Sequence, residues 1–421
     1  MKIGSGTWRR RVGLIIVLVA VAWLGWQIVS TTLGSVRVNS NPAAAVGWAP
    51  GSPRALAAMA EQQLVDAEDD ADMASVEDLA DRALLASPLQ QSALRLLALS
   101  ADLRGDSERA TRLMPVAGSR SAHDSVAQIW LLQQDVRSGQ LEMALAEADL
   151  LLRTQPALWS QLLPVIGNIA LDEKVQASLI DRLAHNPPWR TWVLTNLPKI
   201  ADPSVSHAIL AGLRPTSSPP SNKEVGAFLD RLIADDNFGL AYLEWVSSLP
   251  ASGISKDYLY NGGFNLPATG LPFDWILPLK TDAETEIIDS ADKSRGKVLH
   301  VVFLNERVAR PLANKLLVLK PGSYALSGLA RAENLQNERG VAWRLRCADG
   351  QKQLIVESEL LSGTFKWRGF TANFSVPDDG CSAQWLSLEV AARGALEQQV
   401  SGEIWFDDLS VDRENETTEQ D

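Results

Sequence analysis

Three patterns of apolar and polar positions follow one another along the chain. Val12 to Val29 reads VGLIIVLVAVAWLGWQIV, 18 residues without a charge. As a helix rising 1.5 Å per residue this run spans about 27 Å, enough with its uncharged neighbours to cross a bilayer. From residue 56 to 250 apolar residues recur at spacings of three and four, the period of amphipathic helices. From Tyr258 onward short alternating runs are bounded by Gly, Pro, Asn and Asp, the texture of strands and turns. The pattern predicts a cytoplasmic tip and transmembrane helix (1–36), a linker (37–55), an α-solenoid (56–250), an antiparallel β-sandwich (258–412) and a disordered acidic tail (413–421).

Charge orients the first segment. Lys2, Arg9, Arg10 and Arg11 precede the apolar run and no acid does. Basic flanks stay on the cytoplasmic side, so the remainder of the chain is expected across the membrane. Trp8, Trp23 and Trp26 lie near the two expected interfaces, where indole rings are favoured. The reading is a single-pass inner-membrane protein with a periplasmic bulk. A cleaved signal peptide is the competing reading. Ala43-Ala44-Ala45 offers a cleavage-like site but lies far beyond Val29, and the apolar run exceeds the usual 7–15 residues.

The helical stretch carries a period. Gly105 and Gly139 are 34 residues apart, Ala110 and Ala144 keep the same offset, and Pro88 and Pro156 are 68 apart. Each segment reads as an apolar-periodic helix, a Gly turn and a second helix with a small residue where the pair approaches closely. From about Val76 to Pro156 these residues resemble tetratricopeptide repeats, without the usual Trp and Tyr of the first helix. The resemblance implies a stacked array that binds a protein partner. Pro187-Pro188, Pro203, Pro219-Pro220 and Pro250 punctuate the later helices. Upstream, nine acids and no base fall between Glu61 and Asp81, and they read as a solvated helix face. A calcium loop would need a central Gly, which Asp66 to Asp78 lacks.

In the β region eight runs read as strands: KVLHVVFL, NKLLVL, YALSGLARA, VAWRLRC, QLIVESEL, WRGFTANFSV, QWLSLEVAA and SGEIWFDDLSV. Strands without intervening helices predict a sandwich. The region opens Tyr260-Asn261-Gly262-Gly263-Phe264 and closes Ile404-Trp405-Phe406-Asp407-Asp408-Leu409-Ser410-Val411. These ends resemble the galactose-binding-like jelly roll found in many carbohydrate-binding modules. The resemblance implies a jelly-roll fold with glycan or protein as its ligand. Related modules often hold a structural calcium near the paired ends; here the usual Glu after Phe264 is Asn265, and Asp407 is retained.

Alternation assigns faces. Leu386, Leu388 and Val390 take the core parity, which turns Trp385 outward; Val400, Ile404 and Phe406 do the same for Trp405, and Phe370, Phe374 and Val376 for Trp367. Trp343 points inward, leaving Arg344 and Arg346 outside. Three outward indoles, Trp367, Trp385 and Trp405, are the candidate ligand-binding residues. A bulge that reverses parity, or an interface with the solenoid, would account for the same pattern.

Composition narrows the function. Lys+Arg 39 against Asp+Glu 51 gives a net charge of −12, which argues against nucleic acid as a partner. The two cysteines, Cys347 and Cys381, are expected to form a disulfide in an oxidising compartment. Four histidines (His123, His185, His207 and His300) lie on separate elements, with no zincin, nucleophile-elbow, Walker or dinucleotide motif. No catalytic residue, metal site or cofactor is assigned. Leu266-Pro267-Ala268-Thr269-Gly270 matches a sortase signal but precedes about 150 residues of β structure, so it reads as a loop. The expectation is a non-enzymatic envelope scaffold of a Gram-negative-like bacterium, acting in surface-polysaccharide assembly or export. A glycan-active envelope enzyme and a structural scaffold with its β domain packed on its own solenoid are the alternatives.

Overall fold

The computed structural model describes residues 21, 23, 25–30, 32, 33, 35–67, 70–250, 257–278, 283–350 and 352–414. Val12 to Ala20 of the expected span lie outside them, as do 415–421 of the expected tail. Among the described residues no helix is long and apolar enough to cross a membrane. The chain divides into two compact units, 1–175 and 176–421. The division falls within the expected helical array and not at its end.

In the first unit, helices run Pro42–Trp48 (α1), Pro53–Asp66 (α2), Asp70–Ala86 (α3), Gln91–Leu103 (α4), Ser107–Arg120 (α5), Ser125–Arg137 (α6), Leu141–Thr154 (α7) and Trp159–Ile169 (α8). The expected linker 37–55 therefore contains a helix. Asn41 caps α1 by accepting from the Ala44 N–H, and Pro42 sits at its first turn, where a missing N–H costs nothing. Asp106 and Asp124 cap α5 and α6 in the same way, so His123-Asp124 belongs to a helix start.

The 34-residue offset reappears as geometry. After α4 the Asp106 N–H donates to Ala101 O at 2.8 Å, and after α6 the Gln140 N–H donates to Asp135 O at 2.8 Å. Gly105 and Gly139 sit inside these turns at φ 79° and 73°, a region glycine enters without steric cost. Ala110 and Ala144 are fully buried, as close helix approach requires.

The second unit holds helices Arg190–Asn196 (α10), Pro203–Leu213 (α11), Asn222–Ala234 (α12) and Phe238–Ser248 (α13), preceded by α9, Glu173–Ala184, at the division. Its sandwich has strands Ala283–Asp289 (β1), Lys297–Arg307 (β2), Ala313–Leu317 (β3), Gly322–Gln336 (β4), Val341–Cys347 (β5), Leu354–Glu357 (β6), Gly363–Val376 (β7), Gln384–Val390 (β8) and Gln399–Arg413 (β9). They form a five-stranded sheet in the order β1-β2-β9-β4-β7 and a four-stranded sheet in the order β3-β8-β5-β6. Every named pair is antiparallel. The core between the sheets is aromatic, with Trp275, Trp343, Phe264, Tyr324 and Phe406 fully buried.

The two ends of the sandwich meet. The Leu409 N–H donates to Gly262 O at 3.0 Å, and a Cβ on Gly262 would stand 1.8 Å from Leu409 O. Trp275 Nε1 donates to Asn261 O at 2.8 Å, and Trp275 packs against Phe264 with ring centres 5.1 Å apart. Cys347 and Cys381 are disulfide-bonded, with Cα atoms 4.9 Å apart, tying the end of β5 to the approach to β8.

Candidate functional site

The outer face of the five-stranded sheet gathers the polar and aromatic groups. Residues of β2 alternate, with Leu299, Val301 and Phe303 buried and His300 turned outward. In β9, Ile404 and Phe406 are buried and Trp405 is outward; in β4, Ala330 and Ala332 are buried and Arg331 is outward. Pairing sets these residues side by side: Glu286 opposite His300, His300 opposite Trp405, Trp405 opposite Arg331. Four strands thus contribute one row.

Within the row both faces of the indole are covered. The His300 imidazole lies parallel to Trp405, with ring centres 4.7 Å apart and planes 5° apart. The Arg331 guanidinium, on the strand at the other side, stands 4.6 Å from the Trp405 ring centre. Such a contact contributes roughly 0.5–1 kcal/mol at a partly exposed site. His300 Nε2 lies 2.9 Å from Glu403 Oε2, and Arg331 pairs with Glu333. His300 Nδ1 is buried without a hydrogen-bond partner. The face therefore offers charged donors and acceptors around an indole whose edge is its open part.

Trp367 lies on the same surface. Alternation from buried Phe370 turns it outward, next to a bulge between Arg368 and Phe365. The Arg295 guanidinium stands 4.7 Å from its ring centre. Arg295 also reaches Asp407 at 3.4 Å, Asp408 at 3.8 Å and Asp292 at 3.7 Å. Burial pushes the Asp407 carboxyl up, against the Asp408 N–H and the Arg295 guanidinium, which lower it. These residues do not fit a calcium ion. A guanidinium already stands among the three carboxylates, and Asn265 Oδ1 accepts from the Lys297 N–H at 3.2 Å. Among the described residues no group of three His, Cys, Asp or Glu could hold a metal.

Trp385 belongs elsewhere. It is outward from the sandwich core, as alternation requires, but on the four-stranded sheet and not into open solvent. Leu316, Ala383 and half-buried Trp385 pack into a cluster with Phe228 and Leu229 of α12, Trp245 of α13, and Phe273. The three indoles therefore do not share one surface. On the inner side of β3 sits Lys315, fully buried, 4.4 Å from the Trp275 ring centre and bonded to Tyr260 O. Burial pushes its ammonium down to about 7, and the charge of Asp274 acts the other way.

The sequence reading missed His300, Arg331, Glu403 and Arg295. The outward parity of the first two is visible beside Leu299, Val301, Ala330 and Ala332. Their meeting at Trp405 depends on strand order, which no local pattern encodes. Outward Arg344 and Arg346 are confirmed, and each pairs with Glu389 of β8, at 3.2 and 2.7 Å.

No protein-family model matches this chain, and no curated protein matches it. Among solved structures, one described as "CBM4 structure and function" matches with TM-score 0.29 and 17% identity, covering 37% of this chain and 99% of that chain. The CBM22-1 xylan-binding domain from Paenibacillus barcinonensis Xyn10C matches with TM-score 0.26 and 12% identity, covering 36% of this chain and 91% of that one. TmCBM61 in complex with β-1,4-galactotriose matches with TM-score 0.23 and 17% identity, covering 38% of this chain and all of its own (100%). The C-terminal sandwich is thus similar to carbohydrate-binding modules at low scores.

Proposed function

We propose that this chain is a non-catalytic binding protein that contacts glycan through the outer face of its five-stranded sheet. The observation that carries the reading is the row Glu286, His300, Trp405 and Arg331, in register on four strands, with side chains that remain partly exposed. Saccharide hydroxyls need donors and acceptors presented together, and this row supplies both beside the open edge of the Trp405 indole. In the same reading the helical region is a tetratricopeptide-like array for a protein partner. An N-terminal helix holds the bulk in the periplasm, where surface polysaccharide is assembled or exported. The Cys347–Cys381 disulfide supports an oxidising compartment.

The test is a glycan array probed with the full chain in detergent, alongside Trp405→Ala and Arg331→Ala variants. Retention on at least one glycan class, lost in Trp405→Ala, is the expected result. No retention on any glycan overturns the reading. Protease added to intact spheroplasts tests the location, and survival of the bulk until lysis would overturn it.

A second reading is favoured by one observation. Trp385 packs with α12 and α13, so that side of the sandwich works as a structural junction within the chain. A scaffold of this kind would bind no sugar and leave the array empty.

A further inference from the structure

The first unit contains a cavity of about 510 Å³ between α5, α6 and α7. Its wall holds two acids and an amide, Asp135, Glu147 and Gln128, together with apolar Leu131, Met143 and Leu150. The orientation of the amide is fixed chemically. Gln128 Nε2 donates to Gly118 O at 3.1 Å and to Ser121 O at 3.4 Å. Both neighbours are carbonyls, so only the NH₂ end can face them, and Oε1 is left without a donor. Gln128 is 2% exposed, and that Oε1 is buried and unpartnered. Gly118 makes room for Leu131 beside it: a Cβ there would meet Leu131 Cδ1 at 2.7 Å.

The acids repeat the imbalance. Asp135 is 7% exposed, and among the described residues no cation pairs with its carboxylate. It lies in the last turn of α6, where the helix dipole disfavours negative charge. Glu147 Oε2 is buried without a partner. Burial raises both carboxyls, and the Asp135 charge raises Glu147 further, so the two stand close to each other. Two buried acceptors without a donor, Gln128 Oε1 and Glu147 Oε2, thus border one cavity together with the Asp135 carboxylate. Buried acceptors left unsatisfied are costly, and a ligand with N–H donors and positive charge removes that cost.

We infer that this cavity is a binding site for an ammonium or guanidinium group carried on an aliphatic stem. The charged head meets Asp135 and Glu147, Gln128 Oε1 is a further acceptor on the same wall about two helical turns from Asp135, and the stem lies along Leu131, Met143 and Leu150. Two sources share this chemistry, a Lys or Arg side chain of a partner polypeptide and a free aliphatic diamine. The inference stands independently of the glycan reading, because the cavity and the sheet face belong to different units.

Isothermal titration of the full chain in detergent tests it with three probes: cadaverine, N-acetyl-arginine amide and the neutral isostere N-acetyl-citrulline amide. A cationic probe should bind about tenfold or more tighter than citrulline amide. Asp135→Asn with Glu147→Gln should abolish that preference. That pair removes buried unpaired charge, so the variant is expected to fold, and circular dichroism checks it. Tighter binding of cadaverine assigns the site to free diamines, and tighter binding of the arginine amide assigns it to a partner's side chain. Equal binding of cationic and neutral probes, or cation binding unchanged in the folded double variant, overturns the inference.

Discussion

Arg190 and Glu224, 34 residues apart, form a two-point ion pair inside the second unit, Nε to Oε1 at 3.3 Å and Nη2 to Oε2 at 3.2 Å. Both side chains are under 5% exposed, at 4% and 3%. Arg190 also donates to Leu183 O, Ser218 O and Pro219 O, and Glu224 closes the capping box of α12 with Ser221. One pair thus joins the start of α10 to the start of α12.

Breaking this pair should be expensive. Glu224→Ala strands a buried guanidinium, and a loss of about 3–5 kcal/mol in a urea melt of the chain is expected. Burial acts to raise the Glu224 carboxyl, but the Ser221 N–H and the Arg190 guanidinium outweigh it and hold the group below its ordinary value. A carboxyl depressed in the folded state stabilises above its unfolded pKa, and that contribution disappears as pH falls through the folded value. The wild-type chain should therefore lose more stability on acidification than Glu224→Gln does. Parallel acid profiles for the two would refute the assignment.

Lys315 should act with the same sign but in an alkaline window. In the folded state it is neutral above about 7, whereas in the unfolded chain it stays charged up to about the ordinary lysine value of 10.5. The unfolded state then binds more protons, so stability rises with pH across that window, by at most about 1.4 kcal/mol per unit. Lys315→Met keeps the packing against Trp275 and removes the buried amine. It should be more stable at pH 7 and show a flatter profile to pH 10. A difference between the two proteins that does not change with pH would count against the depressed ammonium.

Two glycines are held by close approach. At Gly402, φ is 98° and a Cβ would stand 2.1 Å from Asn334 O; at Gly262 it would stand 1.8 Å from Leu409 O. Alanine at either position should cost about 2 kcal/mol or more in thermal or urea melts. Gly394, with nothing within 4 Å and φ −152°, is the control and should change little.

Reduction of Cys347–Cys381 opens a loop with a sequence separation of 34 residues. The chain-entropy model gives a loss of about 3–4 kcal/mol. Maleimide labelling in denaturant should modify neither thiol before reductant and both after it. Full labelling without reductant would show the thiols free.

Side was legible in the sequence, and neighbourhood was not. Alternation placed Trp343 inside and Trp367 and Trp405 outside, because a strand reverses its side chains at every residue. The same rule turned Trp385 away from the core but said nothing of α12 and α13 beyond it. It could not bring His300 and Arg331 to Trp405 either, since that depends on β9 lying between β2 and β4. Strand β1 went unread because AETEIID places two isoleucines in succession among acids, which breaks the period of two. Helix α1 was hidden in an Ala- and Pro-rich stretch, although Asn41-Pro42 carries the start signal.

The position of β9 has a consequence for biogenesis. The last of the described strands of the sandwich is the third of five in its sheet, bonded to β2 on one side and β4 on the other. Until it inserts, a growing polypeptide holds two separate ribbons, β1 with β2 and β4 with β7, each with a naked inner edge. Such edges invite mispairing during synthesis or export, so a holdase that shields the emerging chain until its final strand arrives would raise the yield of native protein.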